Sequence, residues 1–240
     1  MLFIDTETTG LNSLTATLVY IGYAIDDKPI KIINHSEGID MSFCKLLLDK
    51  TITKVFHHAN FDLLFLNRNG YKTVEPYFDT KIFYHLIDPY SPNGLKDLGH
   101  SILGKPVTRL ENILDSKEPK GRWKDKYTMI GTSNSKGYGW VRTTSLLTYL
   151  RQDVSLTRHL YYHALTLGIP KYYYQLEQSL IQVILDMELR GIKIDKAECD
   201  LLSINWKEKL DSLEEYFKDL GINPRSPLQV RRYLENDRRN

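Results

Sequence analysis

A pair of carboxylates near the start of the chain has the type and spacing to bind a cation. Asp5 and Glu7 end a short apolar run and lead into a Thr-Thr-Gly turn, in the segment FIDTETTG at residues 3–10. Alternate residues of a strand point to the same face, so the two carboxylates should project together. Like charges held side by side repel unless a proton or a cation lies between them, and a divalent cation with oxygen ligands is the natural partner. The alternative is an acidic turn with both carboxylates in water.

Two more acidic segments favour the cation site over the solvated turn. Asp62 ends the segment HHANFD at residues 57–62, where a predicted strand passes into a helix. Tyr149 and Asp153 are four residues apart in the segment YLRQD, and therefore on one face of a predicted helix. The three segments bring four carboxylates and a phenol, with no fixed basic partner. This set suits two divalent ions of the kind used for phosphodiester cleavage.

The elements that would position these side chains are predicted from apolar periodicity and from turn residues. Strands are predicted at residues 2–5, 17–25, 30–34 and 53–57, and helices at residues 39–48, 61–68, 79–87 and 95–103. The first three strands should form a meander, and the fourth should lie beside the first. A meander followed by alternating helices and strands indicates an α/β fold in which a mixed sheet is flanked by helices.

The segment at residues 104–142 differs from its surroundings. It holds five glycines and nine basic residues against four acidic ones. Because its apolar periodicity is weak, we expect a mobile basic insertion. Its basic side chains either contact nucleic-acid phosphates or are only solvated, and its tryptophans either stack on bases or cover the core. The residues concerned are Lys117, Lys120, Arg122, Lys124 and Lys126, with Trp123 and Trp140.

The rest of the chain is predicted to be helical. A long helix from residue 143 to about residue 167 carries Tyr149 and Asp153. After residues 168–170, apolar residues at helical spacing predict a helix that ends at Gly191 and another that runs from about residue 195 to residue 221. Ser226-Pro227 should begin a last short helix. The arginines of the tail make it basic: Arg231, Arg232, Arg238 and Arg239.

Composition and charge restrict the class of protein. The chain has 240 residues, with 32 basic against 30 acidic ones, and the net charge of +2 does not by itself indicate a nucleic-acid-binding protein. Cys44 and Cys199 fit no disulfide or zinc pattern, so we expect a reducing compartment. The apolar runs are too short to span a membrane. Because the chain enters a core strand at once, no signal peptide is expected, and we predict a cytoplasmic protein of a bacterium or a virus.

The three acidic segments together resemble the motifs of the DEDD exonuclease superfamily, whose members have a ribonuclease H-like fold. The motifs FIDTETTG, HHANFD and YLRQD occur in the superfamily's order. Tyr149, four residues before Asp153, resembles the DEDDy branch. The DEDDh branch has a histidine five residues before the last aspartate, where this chain has Thr148. The resemblance covers roughly residues 1–168, and we assign residues 1–170 to an exonuclease domain.

The resemblance implies a metal-dependent 3′–5′ exonuclease. Two divalent ions, Mg²⁺ or Mn²⁺, would activate a water for in-line attack and stabilise the leaving 3′ oxygen. Tyr149 would orient that water rather than take its proton, because a phenol is a weak base at neutral pH. The product would be a nucleoside 5′-monophosphate. The implied metal ligands are Asp5, Glu7, Asp62 and Asp153.

Several residues beside these motifs are predicted to bind the substrate. Leu11 resembles the family's apolar wedge beside the terminal base. Phe61 would lie near the same nucleotides, although an ordinary core role is the favoured alternative. His58 stands where many relatives have asparagine, and it either keeps a hydrogen-bonding role or merely completes the end of a strand. The full predicted set is Thr6, Leu11, His58, Asn60 and Phe61.

Further stretches narrow the resemblance to the family-A DNA polymerases. DTK at residues 79–81 and LKDL at residues 95–98 are similar to the segment between the second and third motifs of their proofreading domain. Residues 176–195 and 223–234 look like the first helices of the polymerase domain, so residues 171–240 should form a second, helical segment. No later polymerase motif follows, which fits either a truncated chain or a naturally split protein.

Three functions compete on these grounds. The leading hypothesis is the proofreading 3′–5′ exonuclease of a family-A DNA polymerase, which acts on single-stranded or frayed DNA 3′ ends. The second is an RNA-trimming exonuclease similar to ribonuclease D. The third is a non-catalytic module that binds DNA or docks a polymerase chain through the apolar faces of its last helices. The expected partners are a DNA 3′ end and, in a split protein, the rest of the polymerase as a separate chain.

Overall fold

The computed structural model describes residues 1–115, 117–132, 138–168 and 171–237. The chain divides into two units, Met1–Arg190 and Gly191–Asn240. The strands of the first unit are β1 (Leu2–Thr8), β2 (Leu18–Ile25), β3 (Lys31–Asn34), β4 (Lys54–Phe56), β5 (Tyr77–Asp79), β6 (Leu114–Asp115), β7 (Tyr127–Gly131) and β8 (Tyr138–Arg142). Its helices are α1 (Met41–Leu48), α2 (Ala59–Arg68), α3 (Thr80–Ile87), α4 (Leu95–Ser101), α5 (Thr143–Ala164) and α6 (Lys171–Arg190). The second unit contains α7 (Lys196–Asp219) and α8 (Pro227–Asp237).

A five-stranded mixed sheet forms the centre of the first unit. Its order is β3-β2-β1-β4-β5. The first three strands form an antiparallel meander, while β4 runs parallel to β1 and β5 runs parallel to β4. The predicted mixed sheet, its meander and the place of the fourth strand are thus confirmed. β5 was not predicted, because its three residues run directly into α3 and are too few for an alternating pattern to appear.

The sheet is covered by helices on both faces. Leu2 and Ile4 of β1 belong to a buried cluster with side chains of α1, α2 and α6. Phe3 belongs to a second cluster with side chains of α3, α4 and α5. Because side chains alternate along a strand, the next residues of β1 must also divide between these two faces. This division decides which helix each site residue of β1 meets.

The prediction of a mobile insertion at residues 104–142 was wrong for most of this range, which forms strands and short helical turns. β6, β8 and β7 form an antiparallel sheet, with Leu114 paired to Val141 and Met129 paired to Trp140. β7 contacts the turn that follows β1, since a Cβ atom on Gly131 would lie 2.5 Å from the Cα atom of Gly10. Residue 116, residues 133–137 and the side chains of Arg122 and Trp123 lie outside the described part of the chain.

Helix α6 packs with the first unit, although its residues resemble the start of a polymerase domain. Ile181 and Leu185 are 2% and 1% exposed and belong to the same cluster as Leu2 and Ile4. The helix ends before Gly191, whose φ of 68° lies in the left-handed region that glycine adopts without strain. The packing boundary therefore falls after residue 190, and a family boundary at residue 170 stays a prediction.

The second unit consists of helices whose ends match the sequence signals. Asp195 caps α7 by accepting a hydrogen bond from the Glu198 backbone N–H at 3.2 Å. The apolar stripe of α7 is exposed, with Trp206 at 65% and Leu213 at 53%. Arg238 and Arg239 of the predicted basic tail lie outside the described residues. In the described part of the chain, no helix is long and apolar enough to cross a membrane.

Candidate active site

The carboxyl end of β1 carries the first acidic pair. β1 continues to Thr8, beyond the predicted end at residue 5. Asp5 and Glu7 share the face of β1 that α5 covers. The partner of Asp5 across the sheet is Gly22, and α5 passes so near that a Cβ atom there would lie 2.8 Å from Leu150 Cγ. This close approach brings the helix that carries the third motif next to the strand that carries the first.

Asp62 reaches the end of β1 from the opposite side. Thr6 alternates to the face covered by α2, and its hydroxyl donates a 2.6 Å hydrogen bond to Asp62 Oδ1. Both side chains are buried, with 7% of Thr6 and 3% of Asp62 exposed. Thr6 was predicted to contact the substrate. Its hydrogen bond to the carboxylate supports a positioning role, and its contact with the substrate stays a prediction.

The start of α2 is held by a carboxylate from the strand beside it. Asp79 accepts hydrogen bonds from the backbone N–H groups of His58 at 3.0 Å, Ala59 at 2.7 Å and Lys81 at 2.8 Å. It therefore caps α3 and also binds the first turn of α2. His58 adopts a left-handed backbone conformation with φ of 79°, which costs free energy for any residue other than glycine. The bonds to Asp79 stabilise this turn, one helical turn before Asp62.

Tyr149 and Asp153 come from α5, one turn apart. The adjacent residues Leu150 and Val154 are fully buried against the sheet. This packing turns the polar pair towards the end of β1, and Asp153 is 5% exposed. The spacing of four residues, read from the sequence, thus corresponds to one helical face.

A lysine lies inside this group of acidic side chains. Lys96, the second residue of α4, forms an ion pair with Asp153 and is only 11% exposed. Its Nζ atom also lies 4.0 Å from the centroid of the Tyr149 ring. The prediction that the four acids have no fixed basic partner was therefore wrong. Nothing in the sequence motifs indicated this contact, because it depends on how α4 packs against α5.

Burial and mutual repulsion make ionisation of the acidic side chains costly. Burial raises the pKa of Asp5 to about 7, although the charge of Lys96 acts in the opposite direction. Burial, followed by the charge of Asp5, raises the pKa of Glu7 and that of Asp62. Burial and the same negative charges also raise the pKa of Tyr149, so its phenol stays protonated. Burial in turn lowers the pKa of Lys96 to about 8.

The donor set fits divalent metal ions, although it is not arranged as a preformed metal cluster. Among the described residues, no three His, Cys, Asp or Glu side chains have an arrangement that would hold a metal. Lys96 lies beside Asp153 and Tyr149 of the same group. Four acidic side chains around a single ammonium group offer the oxygen donors that hard divalent cations prefer, and a bound cation would favour their ionised forms.

The predicted substrate-binding residues surround the acids at different depths. Leu11 is 60% exposed in the loop after β1, as a wedge residue would be. His58 is exposed, and its ring stacks on that of Phe61 with centroids 6.4 Å apart. Phe61 also packs against Phe65 at 4.9 Å, in agreement with the favoured core role. Asn60 has a buried Oδ1 atom without a hydrogen-bond partner among the described residues. A substrate role for these residues stays a prediction.

The described lysines at residues 117–126 have exposed side chains. Lys117, Lys120, Lys124 and Lys126 are exposed, and Lys124 lies 3.9 Å from Glu118. Their contact with phosphates stays a prediction. Trp140 lies in β8 and is partly buried, which favours its structural role.

One supporting residue was missed because it lies in a different segment of the resemblance. Gln178 of α6 accepts a 2.7 Å hydrogen bond from the Asp79 backbone N–H and donates to the Asp79 carbonyl at 3.5 Å. It is 8% exposed. Its spacing of three and seven residues from the buried Ile181 and Leu185 was the available signal. The contact links α6 to the strand whose carboxylate holds the start of α2.

Comparison with known families identifies the class of this site. A family model described as 3′–5′ exonuclease, that of the family-A DNA polymerases, matches residues 2–168. The chain belongs to this exonuclease family. Members of the family generally depend on divalent metals. The match confirms the family resemblance read from the three motifs and the ribonuclease H-like fold predicted with it.

Two curated relatives of this 3′–5′ exonuclease are DNA polymerases I. That of Borreliella burgdorferi is 26% identical over an alignment of 248 positions, which covers 96% of this chain and 25% of the relative. That of Chloroflexus aurantiacus is 26% identical over 229 residues, covering 90% of this chain and 23% of the relative. The chain thus spans about a quarter of the length of each relative.

Solved structures agree on the fold. NrnC of Brucella melitensis with bound Mg²⁺ has a TM-score of 0.61 at 23% identity and covers 79% of this chain and 85% of its own. The POL domain of Pol1 from M. smegmatis, in complex with DNA primer-template and dNTP, has a TM-score of 0.61 at 16% identity. The match covers 95% of this chain and 36% of the Pol1 chain. At these identities the likeness concerns the fold alone.

Proposed function

We propose that this exonuclease removes nucleoside 5′-monophosphates from single-stranded or frayed DNA 3′ ends, as the proofreading part of a family-A DNA polymerase. The observation that carries the proposal is the convergence of three motifs at the end of β1. Asp5 and Glu7 come from the strand itself, Asp62 is bonded to it through Thr6, and Asp153 comes from the helix packed on it. Four carboxylates can hold divalent ions for phosphodiester hydrolysis, and a protonated phenol beside them can orient a water.

Each residue of the site would have a separate role. Two divalent ions held by the four acids would, when bound, acidify the attacking water and stabilise charge on the leaving oxygen. Tyr149, kept protonated by its buried and negative surroundings, would orient the water by a hydrogen bond rather than remove its proton. Thr6 would fix the rotamer of Asp62, and Asp79 would fix the turn before it.

A cleft that begins at the second motif supports a path for the substrate strand. It has a volume of about 510 Å³ and includes His58 and Asn60 on one side. Lys81 and His85 supply basic groups, while apolar side chains of α6, such as Ile184, supply a surface for bases. An extended single strand fits such a mixture better than a rigid duplex does. Duplex ends would have to fray, at about 1.4 kcal/mol per base-pair step, so mismatched ends would be favoured.

The link to a polymerase is part of the proposal. Each relative is about four times longer than this chain, so the activity of the whole relative does not transfer by itself. The exposed apolar stripe of α7, which includes Leu202, Trp206 and Leu210, supports contact with a polymerase body, in the same chain or in a separate one. A cytoplasmic location in a bacterium or a virus stays a prediction.

The test is degradation of a 5′-labelled single-stranded DNA, beside an RNA of the same sequence. Reactions would contain Mg²⁺, Mn²⁺ or a chelator, and would compare wild type with Asp62→Asn. Asp200→Asn, an exposed aspartate of α7, is the matched control. We expect a metal-dependent ladder that shortens from the 3′ end, lost by orders of magnitude in Asp62→Asn and unchanged in Asp200→Asn.

The substrates distinguish the competing functions. Faster cleavage of RNA than of DNA would favour an RNA-trimming enzyme similar to ribonuclease D. A duplex with a mismatched 3′ end should be cleaved about tenfold faster than a matched one, because one fewer pair must open. Folded wild-type protein that degrades neither polymer with any metal would refute the enzymatic function and leave the binding or docking module.

A further inference from the structure

The position of Lys96 is set by the close packing of α4 on α5. Lys96 and Gly99 are three residues apart on α4 and therefore share a face of that helix. A Cβ atom on Gly99 would lie 3.0 Å from a methyl carbon of Leu156 on α5, so the two helices approach closely there. Lys96 is consequently held over the two turns of α5 that precede Leu156 and carry Asp153 and Tyr149.

The contacts of Lys96 connect it with both acidic elements. Its ammonium group forms an ion pair with Asp153 and lies against the Tyr149 ring. Its charge also acts on Asp5 and Glu7 of β1. The side chain is 11% exposed, which is unusual for a lysine unless it is paired. Lys96 thus bridges the first and third motifs by charge, and neither motif contains it.

We propose that Lys96 is an internal counterion of the acidic cluster, which holds the carboxylates together in the metal-free protein and leaves them when divalent cations bind. The argument rests on charge balance. Buried acidic side chains ionise only with an opposite charge nearby, and Lys96 supplies one. Two divalent ions would bring four positive charges to the same oxygens, so the ammonium group would become surplus and would be repelled.

This role has a thermodynamic consequence that a merely structural lysine would not have. A group that stabilises the metal-free state, and must move for metal to bind, lowers metal affinity by the corresponding factor. Removing the ammonium group should therefore weaken the metal-free protein and strengthen metal binding together. A lysine that only fills space would affect stability with and without metal alike. This inference rests on the proposed metal-dependent function.

The experiment measures stability and metal affinity of the full chain without measuring catalysis. Melting temperatures are taken in chelator and in Mn²⁺, and Mn²⁺ affinity is measured by calorimetry at one pH. The variants are Lys96→Met, Lys96→Arg and the control Lys50→Met, which alters an exposed lysine. We expect Lys96→Met to melt below wild type in chelator and to bind Mn²⁺ at least tenfold more tightly. Lys96→Arg and Lys50→Met should stay close to wild type in chelator.

The outcomes separate this inference from the proposed function. If wild type binds Mn²⁺ and Lys96→Met has the same affinity and the same metal-free melting temperature, the counterion role is overturned while the metal site stands. If wild type itself binds no Mn²⁺, the metal-dependent function fails and the counterion role fails with it. If Lys96→Met does not fold in chelator, Lys96→Gln is measured in the same way, and an affinity equal to wild type overturns the role.

Discussion

Replacing Gly22 by alanine should displace α5 and with it two residues of the active site. A Cβ atom at this position would lie 2.8 Å from Leu150 Cγ, and 2.9 Å from both Leu150 Cδ1 and Val154 Cγ2. Non-bonded carbon atoms prefer about 3.5–4.0 Å, so α5 or its side chains must yield by roughly 1 Å. Tyr149 directly precedes Leu150, and Asp153 directly precedes Val154. Both site residues would therefore move with the clashing side chains.

The expected magnitudes follow from this overlap. Overpacking of this kind costs about 1–3 kcal/mol of stability, which corresponds to a fall of about 2–12 °C in melting temperature for a unit of this size. A displacement of about 1 Å at the reacting groups lowers the rate by up to about a hundredfold. Gly22→Ala should therefore show a modest loss of stability and a larger relative loss of nuclease activity.

The assay combines thermal melting in chelator with single-turnover degradation of labelled single-stranded DNA in Mg²⁺. Gly168→Ala is the control, since a Cβ atom there meets nothing within 4 Å. A double variant with Leu150→Ala should lose less stability than the sum of the two single changes, because the added methyl enters the vacated space. Wild-type melting and rate in Gly22→Ala would refute the view that close packing at this glycine positions α5.

Three further predictions test the surroundings of the site. Gly131→Ala should destabilise the protein by at least about 1–3 kcal/mol and slow cleavage, because its Cβ atom would lie 2.5 Å from backbone Cα of Gly10. Gln178→Ala should cost about 1–3 kcal/mol in thermal unfolding, because it leaves a buried backbone N–H without its partner. Burial, then the charge of Lys81, lowers the pKa of His57 to about 3. Since the unfolded chain takes up this proton near pH 6.5 and the folded one does not, wild type should lose up to about 1.4 kcal/mol per pH unit below 6.5 relative to His57→Asn.

A matched measurement tests each of these three predictions. Gln175→Ala, an exposed glutamine on the same helix, should melt like wild type. Equal melting of Gln178→Ala and Gln175→Ala would contradict the role of the bonds between α6 and β5. Unfolding free energies of wild type and His57→Asn that run parallel from pH 7 to pH 4 would show that His57 is protonated in the folded protein. An active, stable Gly131→Ala variant would exclude close packing of β7 on the first motif.

Local patterns explain why the shared faces of several candidate site residues were predictable. Asp5 and Glu7 share a face because side chains alternate along a strand, and Tyr149 and Asp153 share a face because a helix repeats every 3.6 residues. Asp195 predicts the start of α7, because a capping side chain accepts a hydrogen bond from a backbone N–H only a few residues later. In each case the partners are close in sequence, so the pattern contains the whole interaction.

The missed elements depend on partners that are distant in sequence. β6 has two residues and β5 has three, and such strands exist only because another strand supplies the hydrogen bonds. The many glycines at residues 104–142 indicated a mobile loop. One of them, Gly131, instead permits close contact between β7 and the turn after β1. A low apolar periodicity cannot distinguish these two uses of glycine.

The sequence by itself determined which side chains could perform the chemistry: four carboxylates and a phenol, in three motifs whose order identifies the family. The tertiary structure alone decided what surrounds them. The Thr6 hydroxyl is used by Asp62, and the ammonium group of Lys96 enters the acidic cluster from α4. Both contacts join segments far apart in the chain, and they form only where helices pack closely enough on the sheet. Charge and hydrogen bonding at the site therefore follow from packing, which no local pattern contains.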